Sequence, residues 1–261
     1  GAIMYSDGAS TVSSTVAAFA KRGDLLVVDD GIYEPLVTGV TLSRANVKWF
    51  KHNDMADLRR VLESVARTDR AIGRKTNAQR RFIVVEGLYK NSGTIVPLEE
   101  LVALKHEFHY RLILDESFSF GTLGQEHGTG VLELYGQRHM YDAEIVTISL
   151  ENALGSIGGV TVGNEEIVDH QRLSGAGYCF SASCPPFTAS AAISALSQMQ
   201  QDTELLDLLR RNVTYIYEQM RKVLPKSLVV TSDERSPIAF VGLSESFRNK
   251  MDGDENEETI L

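Results

Sequence analysis

Cysteine is scarce: Cys179 and Cys184 are the only two in 261 residues. So few thiols supply no disulfide framework, and a reducing compartment fits them better than an oxidising one. Basic excess is missing too. Against 35 Asp and Glu stand 26 Lys and Arg, a formal net charge of −9, and no basic stripe is visible, which argues against a nucleic-acid partner. No apolar run approaches the length of a membrane span.

Several chemical motifs are absent. The acidic strand RLILDE at Arg111–Glu116 has no G-x-x-x-x-G-K-[ST] loop to serve, which excludes a nucleotide hydrolase of that type. Gly121–Gly130 is spaced G-x-x-G-x-x-x-G-x-G, not as a dinucleotide fingerprint. We expect a flexible surface loop there, with no helix starting directly behind it. Ser117 and Ser119 lie beside Asp115 without a G-x-S-x-G turn or a neighbouring histidine, so they read as polar residues at a strand end. His170, Cys179 and Cys184 have poor zinc spacing and no fourth ligand nearby. Cys184, before Pro185 and Pro186, reads as a packed thiol.

What is present is ordinary for a globular protein: 43% apolar and 23% charged residues. The length suits one large α/β domain, or such a domain with part of a second. Strand-like runs stand at Ala2–Ser6, Leu25–Asp29, Val47–Phe50, Phe82–Val85, Arg111–Asp115, Ile145–Ser149 and Gly159–Gly163. Helical spacing alternates with them at Ser10–Ala20, Leu36–Ala45, Met55–Arg67, Leu98–His109 and Glu165–Leu173. Ala71–Arg81 reads as a basic surface loop. Phe187–Gln200 and Leu205–Leu224 read as long helices, followed by strands at Leu228–Thr231 and Ile238–Gly242. Alternation of this kind predicts a mostly parallel sheet covered on both faces. We expect a large domain over residues 1–200 and part of a smaller α+β subdomain over 201–261. The opening on Gly1–Tyr5 and the acidic close at Met251–Leu261 read as the ends of a piece of a longer chain.

Two stretches carry the chemical interest. Ile145–Gly163, IVTISLENALGSIGGVTVG, is a strand, a Gly-rich turn and a returning strand, and open α/β sheets place ligands at such strand ends. The turn offers Ser149, Glu151 and Asn152 but no lysine and no histidine. Tyr178–Ser183, YCFSAS, gathers hydroxyls and backbone N–H groups just before a helix. It can serve as a phosphate site or as an ordinary helix cap.

Five segments in order, GDLLVVDD, VKWFKHND, FIVVEGLYKNSGTIVPLEELVALK, RLILDESFSFGTLGQEHGTG and DHQRLSGAGYCFSASCPP, resemble the α-oxoamine synthase family over nearly the whole chain. These are pyridoxal 5′-phosphate (PLP) enzymes of aspartate aminotransferase fold type I. They condense an amino acid with an acyl-CoA and release carbon dioxide. HQRLSGAGYCFSASCPP and SLENALGSIGG are most similar to the branch that joins L-serine to palmitoyl-CoA, giving 3-ketosphinganine for sphingolipid synthesis.

The resemblance implies a role for each matching position. PLP chemistry needs a lysine amine to hold the aldehyde, and Asn152 stands at that position. Tyr33 matches the histidine that stacks on the cofactor ring. Asp115 matches the acid that pairs with the ring nitrogen. Phe118 replaces a second histidine near the phenolic oxygen, and Ser149 matches a phosphate contact. Ser181 and Ser183 match a segment that reaches the PLP phosphate of a neighbouring chain. Such a chain would not catalyse alone; it would support a lysine-bearing long-chain-base subunit 2, which holds the PLP covalently, in an endoplasmic-reticulum membrane complex with small regulatory subunits. The fragment could also pair with itself. A self-sufficient homodimeric synthase and a pure scaffold remain as alternatives.

Overall fold

Apolar runs with no polar alternation build the centre of the molecule. In β2 (Leu25–Asp29) and β4 (Arg81–Glu86) every residue is buried, the pattern of strands covered on both faces. The computed structural model describes residues 1–75, 79–136 and 141–249. Part of the expected loop, at 76–78, and the acidic end lie outside them.

The remaining sheet strands are β1 (Ala2–Tyr5), β3 (Asn46–Phe50), β5 (Arg111–Asp115), β6 (Ile145–Ser149) and β7 (Gly159–Val162). The seven strands lie in the order β1-β7-β6-β5-β4-β2-β3. Neighbours from β3 to β6 are parallel, while β7 runs antiparallel to both β6 and β1. A mostly parallel α/β sheet is therefore present, as the alternation of patterns predicts.

Helices α1 (Gly8–Phe19), α2 (Glu34–Ser43), α3 (Met55–Ile72), α4 (Leu98–Phe108) and α5 (Val131–Leu134) connect these strands, and α6 (Glu165–Ser174) follows β7. Local chemistry sets their ends. Asp7 caps α1 by accepting from Ser10 N at 2.6 Å, and Asp54 caps α3 by accepting from Asp57 N at 2.9 Å. Pro35 sits in the first turn of α2, where its missing N–H costs nothing. At the other end of α3, Gly73 takes the left-handed conformation that closes a helix. A one-turn α7 (Ala176–Cys179) precedes the long α8 (Pro186–Gln201) and α9 (Glu204–Val223), and β8 (Leu228–Val230) pairs with β9 (Val241–Leu243).

Several expectations need correction. Helix α3 continues to Ile72, five residues past the expected stop at Arg67, because Asp69 is drawn inward by Arg81 at 2.5 Å. Arg81 is thus the buried start of β4 and not part of a surface loop. A helix, α5, does start directly behind Gly130. Its Glu133 gathers the backbone N–H groups of Glu126, His127 and Thr129 at 2.5–2.8 Å, so the glycine-rich loop is clasped where a free surface loop was expected. The last strand begins at Val241 instead of Ile238, since Ile238 N and O are taken by Ser236.

Candidate functional site

Parallel strands end here in acids. Asp29, Glu86 and Asp115 close β2, β4 and β5, and Ser149 closes β6. Register places Glu86 beside Asp115, and Asp115 beside Thr147. All four strand ends therefore lie along one edge of the sheet, where the preceding strands hold them rigidly.

Asp115 is the centre. Its Oδ1 accepts from the Thr147 hydroxyl at 2.6 Å and the Ser117 hydroxyl at 2.8 Å. Its Oδ2 is buried and has no hydrogen-bond partner. The Tyr33 hydroxyl faces this carboxylate and Ser117 without forming a bond of good geometry to Oδ2, yet it is close enough that the charge of Asp115 pushes the Tyr33 phenol further above its ordinary value, after burial has done most of that. Burial lifts Asp115 to about 6, against the opposing pull of Thr147, Ser117 and Tyr33. Glu86, which accepts from Tyr33 N at 2.6 Å and Lys90 N at 2.9 Å, is likewise raised by burial and then by the neighbouring Asp115 charge.

Tyr33 and Phe118 meet edge to face, ring centroids 5.7 Å apart. The Lys90 ammonium lies 5.9 Å from each ring centre. Thus the two positions matched to histidines come together as an aromatic pair facing a cation.

Ser117 ties the acid to the turn after β6. Its hydroxyl accepts from Ser149 N at 3.1 Å, and its carbonyl accepts from the Asn152 side-chain amide at 2.7 Å. Ser149 Oγ in turn accepts from Glu151 N at 3.1 Å. Five of the expected site residues, Tyr33, Asp115, Phe118, Ser149 and Asn152, therefore form one cluster.

Ser181 lies elsewhere, on an exposed segment, 3.2 Å from the Ser6 hydroxyl and donating to Gly177 O at 2.5 Å. Ser183 is exposed and makes no side-chain hydrogen bond among the described residues. The Tyr178–Ser183 stretch starts within the single turn of α7, at its last two residues. Of the residues weighed as metal ligands, His170 Nε2 lies 2.9 Å from Ala18 O, and Cys184 Sγ lies 2.8 Å from the Thr188 hydroxyl.

Sequence reasoning passed over three participants. From the sequence Ser117 reads as strand-end polarity, and no motif singles out Lys90. Glu151 stands in the turn with no role that the sequence assigns. Its carboxylate accepts from Gly8 N, at the start of α1, at 3.0 Å. A lone acid in a Gly-rich turn carries no signal that a helix start will fold against it.

Do these residues suit PLP? The unpartnered Oδ2 of Asp115 is apt for a protonated ring nitrogen. The rest is not. The Asn152 amide is not nucleophilic and is already spent on Ser117 O. As a covalent cofactor site of its own, this cluster does not fit.

Comparison with known proteins places the chain. It belongs to the aminotransferase class I and II family, whose model matches residues 1–257. Within that class it is 44% identical, over 244 residues, to long chain base biosynthesis protein 1b of Oryza sativa subsp. japonica, covering 94% of this chain and 49% of the relative. It is 40% identical, over 263 residues, to serine palmitoyltransferase 1 of Dictyostelium discoideum, covering 100% and 53%. The chain thus spans about half the length of the curated relatives it matches. A serine palmitoyltransferase from S. paucimobilis, solved with a bound PLP–myriocin aldimine, superposes with a TM-score of 0.81 at 25% identity, over 94% of this chain and 60% of that one. An 8-amino-7-oxononanoate synthase from Francisella tularensis superposes with a TM-score of 0.76 at 25% identity, over 98% and 70%.

Proposed function

We propose that this chain is the non-catalytic subunit of a heterodimeric serine palmitoyltransferase, supporting the condensation of L-serine with palmitoyl-CoA to 3-ketosphinganine by a lysine-bearing partner. The observation that carries the reading is the Asn152 amide bonded to Ser117 O at the position where the family's chemistry needs an amine. Relatives named long chain base biosynthesis protein 1b and serine palmitoyltransferase 1 support the reaction. PLP would be held covalently by the partner's lysine. We place the complex at the endoplasmic-reticulum membrane with small regulatory subunits. Among the described residues no helix is long and apolar enough to cross a membrane.

Two tasks are left to a subunit without the lysine. It can stabilise a partner that has no stable monomer, by mass action. It can also lend Ser181 and Ser183 to the partner's phosphate, where donors to a dianion make charge-assisted bonds. Their exposure supports this. Phe180, 90% exposed, and Phe187, 68% exposed, flank them, an apolar setting that a second chain would cover.

The test is borohydride trapping on the co-expressed complex, with the pyridoxyl peptide assigned to a chain by mass spectrometry. All label is expected on the partner. Label on any side chain of this polypeptide, or turnover by this chain alone, sinks the proposal. Ser181→Ala with Ser183→Ala is expected to weaken PLP retention by the complex about tenfold.

A further inference from the structure

The first turn of α1 (Gly8–Phe19) presents N–H groups that no carbonyl within the helix can satisfy. Together with the helix dipole, such groups form an anion seat. This seat opens onto the turn after β6. A Cβ built on Gly8 would lie 2.8 Å from Ser149 Oγ and 3.2 Å from Glu151 Oε2, so Gly8, Ser149 and Glu151 converge on one spot. Ser149 is also the residue matched to a phosphate contact. On the far side of Ser117 the buried Asp115 Oδ2 stands without a partner. A ring acid at one end and an anion seat at the other are the two ends of a phosphorylated pyridine's cradle.

The seat already holds an anion. Glu151 Oε1 accepts from Gly8 N at 3.0 Å and from Gly158 N at 3.5 Å. The carboxylate of Asp7 takes Ser10 N at 2.6 Å. A phosphate arriving here would meet two carboxylates and find two of the donors it needs already in use.

We propose that Glu151 is a built-in anion that fills, from within the chain, the phosphate seat of its own cofactor cleft, and so excludes a phosphorylated aldehyde independently of the missing lysine. The inference rests on the reading that the turn after β6 corresponds to a cofactor-binding turn. It goes further, since it holds that restoring an amine at position 152 is not enough.

The test uses the co-expressed complex carrying Asn152→Lys, with and without Glu151→Ala. Each is incubated with PLP or with unphosphorylated pyridoxal. The introduced amine condenses with the aldehyde and releases water; borohydride then reduces the C=N bond, and mass spectrometry assigns the label to a chain. Expected is about tenfold more PLP label on this chain in the double variant than in Asn152→Lys, with equal labelling by pyridoxal. Equal PLP labelling of the two overturns the proposal. An equal gain with both aldehydes also overturns it, because the effect would then be access and not an anion seat. If pyridoxal labels neither, the cofactor-turn reading falls and the inference with it, while the Ser181 and Ser183 effect on the partner stays separately measurable. Should Glu151→Ala fail to assemble, Glu151→Gln keeps an acceptor for Gly8 N without the charge and is read by the same outcomes.

Discussion

The Asp115 cluster and the Tyr178–Ser183 segment are made of similar residue types and behave in opposite ways. Around Asp115, almost every donor and acceptor is consumed by the chain itself: Ser117 alone joins Asp115, Ser149 and Asn152. Ser181 and Ser183 are exposed; Ser181 bonds only within its own segment and to Ser6, and Ser183 makes no side-chain hydrogen bond among the described residues. A network closed on itself contributes to folding and leaves little for a ligand, here only Asp115 Oδ2. A set of exposed donors contributes little to folding and remains available to another molecule. On the proposed reading, the contrast is that of a subunit that has lost a reaction and keeps a place in it.

Substitutions can break the contrast, and the largest effect is expected at the closed side. Gly130 has φ +105°, and a Cβ there would lie 2.5 Å from Oε2 of the buried Glu116. Gly130→Ala should cost about 4 kcal/mol, backbone strain and overpacking together, read as a lowered midpoint in urea unfolding.

Glu116 itself gives a pH signature. It accepts from Val131 N at 2.9 Å and Leu132 N at 3.2 Å and from the Ser119 hydroxyl, but burial dominates and pushes it from 4.5 to about 7. With the folded value above the unfolded one, its contribution is full below about 4.5 and is lost as pH rises through about 7. Asp115, lifted by burial to about 6, acts with the same sign. Stability should fall by about 3 kcal/mol across that window on account of Glu116, and Glu116→Gln should flatten the fall in unfolding curves taken at several pH values.

A smaller loss is expected for Ser117→Ala, about 2 kcal/mol, because Ser149 N and Asp115 Oδ1 each lose a buried partner. At the open side, Ser181→Ala should change the stability of the isolated chain by less than about 0.5 kcal/mol. A loss as large as that of Ser117→Ala would erase the distinction between the two regions.

The parallel core was legible because buried strands such as FIVV and LLVVD are apolar without alternation. The segments that resemble the α-oxoamine synthases singled out Asp115, Ser149 and Asn152, and the structure brings these three together through Ser117. What escaped depends on convergence between distant residues. Glu151 meets Gly8 across 143 positions, and no local pattern announces it. Arg81 looked like surface charge because its partner, Asp69, belongs to the preceding helix. The loop at Gly121–Gly130 looked free because glycine spacing signals conformational latitude and says nothing of the single carboxylate, Glu133, that removes it.

Strand β1 finds its sheet partner in β7, where Ala2 lies opposite Val162 and Tyr5 opposite Gly159, and its Ile3 and Tyr5 pack with Val168. During synthesis this strand leaves the ribosome long before the strand it needs. Loop closure over so long a separation is slow, and until it happens β7 presents an open edge to any other strand nearby. Docking of β1 onto β7 is therefore expected late in the assembly of this sheet, and the interval before it is when a nascent chain would most need a chaperone.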